Sequence, residues 1–505
     1  MSKESRVKGI ALSYITTIIR TVSKLLLTPL YLRVLGFDDY GFYQYVFSIA
    51  SYATILDFGI SSVVNTFSIK YREKGDTQGV ENVLFYALMF STFSAIILLL
   101  GGTALIIGAP QIFGEAVSHR IGLTRQLLAV ISVELILLMF QHYFEGIILA
   151  AEKYVTLRGV ALIQILSRSI ITVLLLFSNI GVLSIALGDL LGVGLCLGYE
   201  ILFCKNKIGI RIRYHYKDKE LIRGIAKLSF ALALQSVVSY LNSSIDKYVI
   251  GRYLDTVAVT IYSLAITFST FFDEIPTVIQ RLYLPQVVKL VANGADEKQM
   301  TDLVIKPGRY QFMLVGGVLG AFILFGKQFI VIWSGEGTTD AWVIALMLMV
   351  PSVLPLIQNV CLSILTAMNK RMFRSYTLCG IAVANLFLTI VLVKKIGLMG
   401  APIGSCIALI LGNNIAMNLY YKYKIHIDVK RLFLSIFKGI LPCAVTATIV
   451  CSALLLVNMD GIIWFLIECV VFCIVYGIFL WFFGLNNIEK EQISTVVRVK
   501  LHRNN

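Results

Sequence analysis

Fourteen stretches of about twenty to thirty predominantly apolar residues recur along this chain of 505 residues. A helix crosses the hydrocarbon layer of a bilayer in about 20 such residues. In rough boundaries the stretches are 9–31, 40–69, 82–108, 124–149, 159–179, 181–204, 228–250, 256–280, 310–332, 341–366, 374–393, 397–420, 435–457 and 461–484. Lipid offers backbone groups no hydrogen-bond partner, so runs this long and unalternating are helices. The expectation is an all-α membrane protein with 14 transmembrane helices. The composition agrees, with 58% hydrophobic residues, 14% charged residues and a mean hydropathy of +0.82.

A net charge of +15 raises the question of nucleic acid, and the placement of the bases answers it. If the N-terminus is inside, and Arg125, Arg374 and Lys438 near span ends are counted with their adjoining loops, 33 of the 44 Lys and Arg fall on cytoplasmic segments, 6 on outside loops and 5 within spans. That bias is a positive-inside signal, and it puts both termini in the cytoplasm. The basic pI then reflects topology and attraction to anionic lipid, and no nucleic acid is implied. The basic N-terminal segment runs into the first span without a small-residue cleavage site, so that span reads as uncleaved. The nine cysteines form no CxxC pair and mostly lie in apolar stretches, as small hydrophobes do.

A basic segment, 205–227, cuts the chain near its middle. The expected organisation is an N-lobe over 1–204, this cytoplasmic linker, a C-lobe over 228–420, and two further spans with a cytoplasmic tail over 421–505. Arg33 precedes Tyr43 by the same ten residues that separate Arg252 from Tyr262, and Arg158, Gly181 and Gly188 match Arg374, Gly397 and Gly404. The offsets, 219 and 216, suggest that spans 1–6 repeat as spans 7–12. Six is even, so the copies run parallel, which leads us to expect a central cavity between two lobes. The segment 285–309 mixes apolar and charged residues and reads as an amphipathic helix along the inner surface.

Several spans carry one polar face at helical spacing. The first gives Ser13, Thr17, Arg20, Lys24 and Thr28; the second gives Thr54, Asp57, Ser61 and Asn65. The fifth gives Gln164, Arg168 and Thr172, and the seventh gives Gln235, Ser239, Asn242 and Asp246. Most of the hydroxyls serve as interhelical contacts. The charges demand more, because a base at the bilayer centre costs about 3 kcal/mol or more. Arg20 lies about 15 Å from either surface at 1.5 Å per residue, too far for easy snorkelling. Arg20, Lys24 and Arg168, with Gln164, Gln235 and Asn242, are therefore the candidate binding residues for an anionic cargo. Lys247 and Lys327, near outer ends, read as snorkelling anchors. Asp57, Glu134, Asp246, Asp273 and Glu274 are candidates for counter-charge or for loading a coupling proton or Na⁺; Glu145 and Asp189 also lie within spans.

The sequence holds no Walker A loop, no paired histidines and no GxSxG elbow, so the reading is a transporter without cofactor and not an enzyme. Leu35-Gly36, Tyr40-Gly41-Phe42-Tyr43 and Asp57-Phe58-Gly59-Ile60 resemble the opening of a Wzx-type polysaccharide flippase of the MOP exporter superfamily. The resemblance extends to the span count, the basic centre and the added terminal pair. It implies alternating-access export of an undecaprenyl-pyrophosphate-linked glycan from the inner to the outer leaflet of the bacterial cytoplasmic membrane. It also implies a cationic cavity, driving by an ion gradient or the membrane potential, and contacts with a polysaccharide polymerase and glycosyltransferases. A lipid II flippase of the same superfamily and a MATE-like cation antiporter are the alternatives. Buried bases count against the second, which favours an acidic pocket.

Overall fold

The computed structural model describes residues 3–368, 370, 372–456, 461–492 and 494, with backbone alone for 3–11, 14, 115, 116, 235, 238, 239 and 241–243. Its contacts divide it into two compact units, Met1–Thr260 and Ile261–Asn505. The first holds α1 (Lys3–Ala50), α2 (Ile60–Glu73), α3 (Thr77–Ile107), α4 (Ala109–Phe113), α5 (Ile121–Ala150), α6 (Tyr154–Phe177), α7 (Leu183–Phe203) and α8 (Lys219–Tyr253). α9 (Thr256–Ala292) begins at its end. The second unit continues with α10 (Glu297–Ser334), α11 (Asp340–Ile357), α12 (Asn359–Ala367), α13 (Met372–Ile396), α14 (Gly400–Leu409), α15 (Met417–Lys424), α16 (Val429–Phe437), α17 (Ile440–Cys451) and α18 (Ile462–Phe479).

This is a multi-pass membrane protein. Among the described residues, ten helices are long and apolar enough to cross a bilayer, or eleven if the pair Val429–Phe437 and Ile440–Leu456, bent by 40°, counts as one span. The bend falls at Gly439, in a positive-φ conformation that ends α16. Large apolar side chains face outward, with Leu174, Phe177 and Phe387 63%, 67% and 67% exposed, an exterior suited to acyl chains and not to water.

The difference from the expected fourteen has local causes. Ile15–Glu73 is counted as one helix of 59 residues, although Gly36 breaks α1 with non-helical angles. Phe58 and Gly59 are both left-handed and separate α1 from α2. Met372–Lys424, 53 residues, likewise merges two expected spans. α8 also carries an apolar run over 228–241, but the span count covers the described residues alone and several α8 side chains lie outside them.

The segment 285–309 is not one surface helix. α9 runs through Pro285 to Ala292, Gly294 turns the chain at φ 69°, and Asp296 starts α10 with a capping box. Its side chain accepts from Gln299 N at 2.7 Å while Gln299 Oε1 accepts from Asp296 N at 3.2 Å.

Several helix pairs pack closely at glycine, among them α6 with α7 and α13 with α14. A methyl group on Gly188 of α7 would sit 1.9 Å from Thr172 Oγ1 of α6. In the second unit, one on Gly404 of α14 would lie 3.0 Å from Thr389 N of α13. Small residues at such crossings let helices touch through their backbones where lipid supplies no hydrophobic drive.

Candidate functional site

Within the first unit, α1, α5, α6 and α7 enclose a cavity of about 520 Å³. Arg20 and Lys24 enter it from one face of α1, a turn apart, and both are exposed. α6 contributes Gln164 and Arg168, again a turn apart, and α5 contributes Glu134. α7 contributes Asp189, which forms an ion pair with Arg168 Nε. The close Gly188–Thr172 crossing, and Gly192, where a methyl group would lie 3.2–3.4 Å from Arg168 Cβ, Cα and N, bring that carboxylate to the guanidinium.

The pair is asymmetric. The Asp189 side chain is 7% exposed and that of Arg168 is 50% exposed. Its other donors meet no hydrogen-bond acceptor among the described residues, so the guanidinium presents open N–H groups to the cavity. Guanidinium donors match phosphate oxygens in pairs, and Lys24 adds a point charge. Tyr31, Tyr43 and Glu134 complete the surroundings of Arg168.

A hydrogen-bonded wall flanks the cavity. Gln44 donates to Tyr40 Oη at 3.0 Å and accepts from Lys247 Nζ at 3.0 Å. Lys247 is thus turned inward toward Gln44 and does not snorkel. Gln164 exchanges amide hydrogen bonds with Gln141 of α5, both at 3.2 Å.

A second titratable group of side chains lies further along α5. Asp57 meets His142 Nδ1 at 3.1 Å. Glu145 shares the neighbourhood of His142, Asp57, Arg158 and Arg20. Glu200 of α7 is fully buried, beside Gln141 of α5.

The expected site residues therefore separate. Arg20, Lys24, Arg168, Gln164 and Glu134 share one cavity, and Asp57 belongs to the His142 group. Asp246 is buried elsewhere in the first unit, near Tyr52. Asp273 and Glu274 lie on α9 in the second unit, Asp273 beside Ser352. The side chains of Gln235 and Asn242 lie outside the described residues.

Asp189 was named in the sequence only as an acid within a span, and His142 and Glu200 were not singled out. Their signal is positional: Asp189, Val193, Cys196 and Glu200 follow helical spacing on one face of an otherwise apolar run.

A model of the family described as "Polysaccharide biosynthesis protein" matches residues 7–290, more than half of the chain. The chain is 24% identical over 455 residues to "Uncharacterized membrane protein EpsK" of Bacillus subtilis (strain 168), covering 86% of each. It is 23% identical over 399 residues to the "Putative O-antigen transporter" of Shigella flexneri, covering 77% of this chain and 91% of that one. Among solved structures it is similar to the lipid II flippase MurJ in its inward closed conformation. The TM-score is 0.73 at 17% identity, with 93% of this chain and 98% of that chain covered, a likeness of fold. The chain belongs to the polysaccharide biosynthesis protein family and is a multi-pass membrane protein.

Proposed function

We propose that this transporter flips a polyprenyl-pyrophosphate-linked oligosaccharide across the bacterial cytoplasmic membrane, from the inner to the outer leaflet, by alternating exposure of a cationic site. The observation that carries the reading is Arg168, held by Asp189 on one side and half-exposed to the cavity on the other. Arg20 and Lys24 line the same cavity from α1, so a pyrophosphate meets positive charge from two helices. The hydroxyls and amides of Tyr31, Tyr40, Gln44 and Gln164 suit a glycan, and about 520 Å³ suits a headgroup whose isoprenoid tail stays in lipid.

The same reading takes fourteen spans. Ile15–Glu73 and Met372–Lys424 each cross twice, divided at Gly36 and Gly397, the bent pair crosses once, and α8 crosses once. The matching contacts Gly188–Thr172 and Gly404–Thr389 support two parallel six-helix repeats. The 33-to-6 bias of bases supports cytoplasmic termini. Glu134 and the Asp57–His142 pair are the groups we assign to counter-charge or to coupling by protons or Na⁺.

The test is transport in vesicles. A fluorescent short-chain polyprenyl-pyrophosphate oligosaccharide should become accessible to an impermeant quencher on the far side when the wild-type protein is present. R168Q/D189N, which removes both charges and leaves polar side chains, should lose that signal. Transport of a cationic dye and not of the lipid would replace this reading with a MATE-like one. A preference for lipid II over other glycans would narrow the cargo to the peptidoglycan precursor.

A further inference from the structure

The segment joining α7 to α8 turns at left-handed Gly209, carries no regular secondary structure from there to Asp218, and alternates in character, Ile210-Arg211-Ile212-Arg213. Ile208, Ile210 and Ile212 pack against the buried cluster that Val64, Leu84 and Tyr143 help to form. A period of two therefore sends Arg211 and Arg213 outward, and both are exposed.

The segment is fastened at its far end. His215 N donates to Asn82 Oδ1 at 3.0 Å, and Asn82 Nδ2 donates to Tyr216 O at 2.8 Å. The Tyr86 hydroxyl donates to the same carbonyl at 3.2 Å. His215 Nε2 lies 2.6 Å from Glu81 Oε2. Tyr71 Oη donates to Asp218 Oδ2 at 2.5 Å, while Asp218 Oδ1 caps α8 through Leu221 N at 2.9 Å.

These contacts use the acids of the neighbourhood. Glu81 holds His215, Asp76 caps α3 through Gly79 N at 2.7 Å, and Asp218 is bound on both oxygens. Residues 205–217 contain five bases and no acid, and Lys70 and Arg72 at the end of α2 add to them. Beside the arginines stand Tyr214 and Tyr216, 53% and 39% exposed, the side chains favoured at a headgroup boundary. The whole strap follows directly on the apolar span Leu183–Ile208, so it lies where that span leaves the bilayer.

We propose that this strap is a preformed binding surface for anionic phospholipid headgroups, with Arg211 and Arg213 gripping the phosphates of the adjoining leaflet. A solvated charge run would need none of the seating. Here rigid attachment holds the bases in place before lipid arrives, which lowers the ordering cost of binding. An acidic protein partner is the competing occupant, and the exposed tyrosines at the end of a span favour lipid.

The test uses the full chain in detergent, titrated with short-chain phosphatidylglycerol and, separately, phosphatidylcholine. R211Q/R213Q should bind phosphatidylglycerol about fivefold more weakly for each arginine removed, with phosphatidylcholine binding and thermal unfolding unchanged. K422Q/K424Q, which removes the same charge from α15, should bind as the wild type does. Wild-type affinity in R211Q/R213Q overturns the proposal, as does an equal loss in K422Q/K424Q. Binding of polyglutamate through the same arginines without binding of phosphatidylglycerol would make the surface a protein dock and also overturns it.

Discussion

In the second unit, Arg309 on α10 uses all five of its N–H donors inside the protein; in the first, Arg168 on α6 gives Nε to Asp189 and leaves its guanidinium half-exposed. Arg309 Nε and Nη2 hold the two oxygens of Glu489 at 2.6 and 3.0 Å. Nη1 donates to the carbonyls of Ser435 and Lys438 at 2.8 and 3.1 Å, and Nη2 also donates to that of Gly484 at 2.9 Å. Those carbonyls lie at the ends of α16 and of the helix that continues α18, where no intrahelical donor remains. Arg309 thus closes two helix ends and ties the C-terminal segment to α10, with nothing left to offer a ligand. Both arginines are paired with a buried carboxylate. What separates them is unused hydrogen-bonding capacity beside a cavity, and that is the property a binding site requires.

The largest expected effect tests the closed case. Glu489→Ala leaves Arg309 buried without its counter-charge and should destabilise the second unit by about 3–5 kcal/mol, read as a drop in thermal unfolding in detergent. If the variant unfolds as the wild type does, Arg309 is not the clasp that its contacts describe. The open case should behave in the opposite way. R168Q/D189N should unfold normally yet transport about 10- to 100-fold more slowly, the loss expected from removing one charge-assisted contact of about 1.5–3 kcal/mol. A variant that fails to fold would put Arg168 in the same class as Arg309.

The two close crossings sharpen the contrast. Gly188→Ala places a methyl group 1.9 Å from Thr172 Oγ1, so α7 must move and carry Asp189 away from Arg168. Over-packing of this kind costs about 1–3 kcal/mol, and transport should fall with it. Gly404→Ala meets its nearest atoms at 3.0–3.1 Å and should cost under about 1 kcal/mol, with transport unaffected. Equal effects at the two glycines would mean that the first crossing has no special link to the cavity.

Much of this contrast was legible in the chain before folding, and part was not. Apolar length marked the helices, and the cost of a base in lipid singled out Arg20, Lys24 and Arg168, which do share a cavity. Arg309 carried no such mark, because it opens a span next to Pro307 and reads as an ordinary boundary cation. Its partner Glu489 lies 180 residues away, and no local pattern announces a contact of that range. The same holds for Asp57 with His142, and for Asp189, a single acid in an apolar run whose meaning depends on which helix packs against it. The breaks at Gly36 and Phe58-Gly59 show the converse limit: apolar runs fix where spans lie but not where one helix ends and the next begins.

The smallest effect compares two capping aspartates. Asp428 accepts from Arg431 N at 2.9 Å and caps α16, while Asp218 caps α8 and also receives the Tyr71 hydroxyl. Burial works to raise the Asp218 carboxyl, but the Tyr71 hydroxyl and the backbone N–H groups of Leu221 and Glu220 outweigh it. They hold the group below its ordinary value of 3.8. A carboxyl depressed in the folded state contributes its stability above its unfolded pKa and loses it as pH falls through the folded one. Asp218→Ala should therefore cost about 1 kcal/mol of cap, and the gap to wild type should stay constant from pH 7 to pH 5. It should close only below the ordinary carboxylate range. Asp428→Ala should cost a similar amount in unfolding but leave phosphatidylglycerol binding intact, whereas Asp218→Ala should weaken that binding by loosening the strap. A gap that closes by pH 5 would mean that Tyr71 and the α8 backbone do not hold this carboxylate in its charged form, and the anchoring of the strap at Asp218 would have to be abandoned.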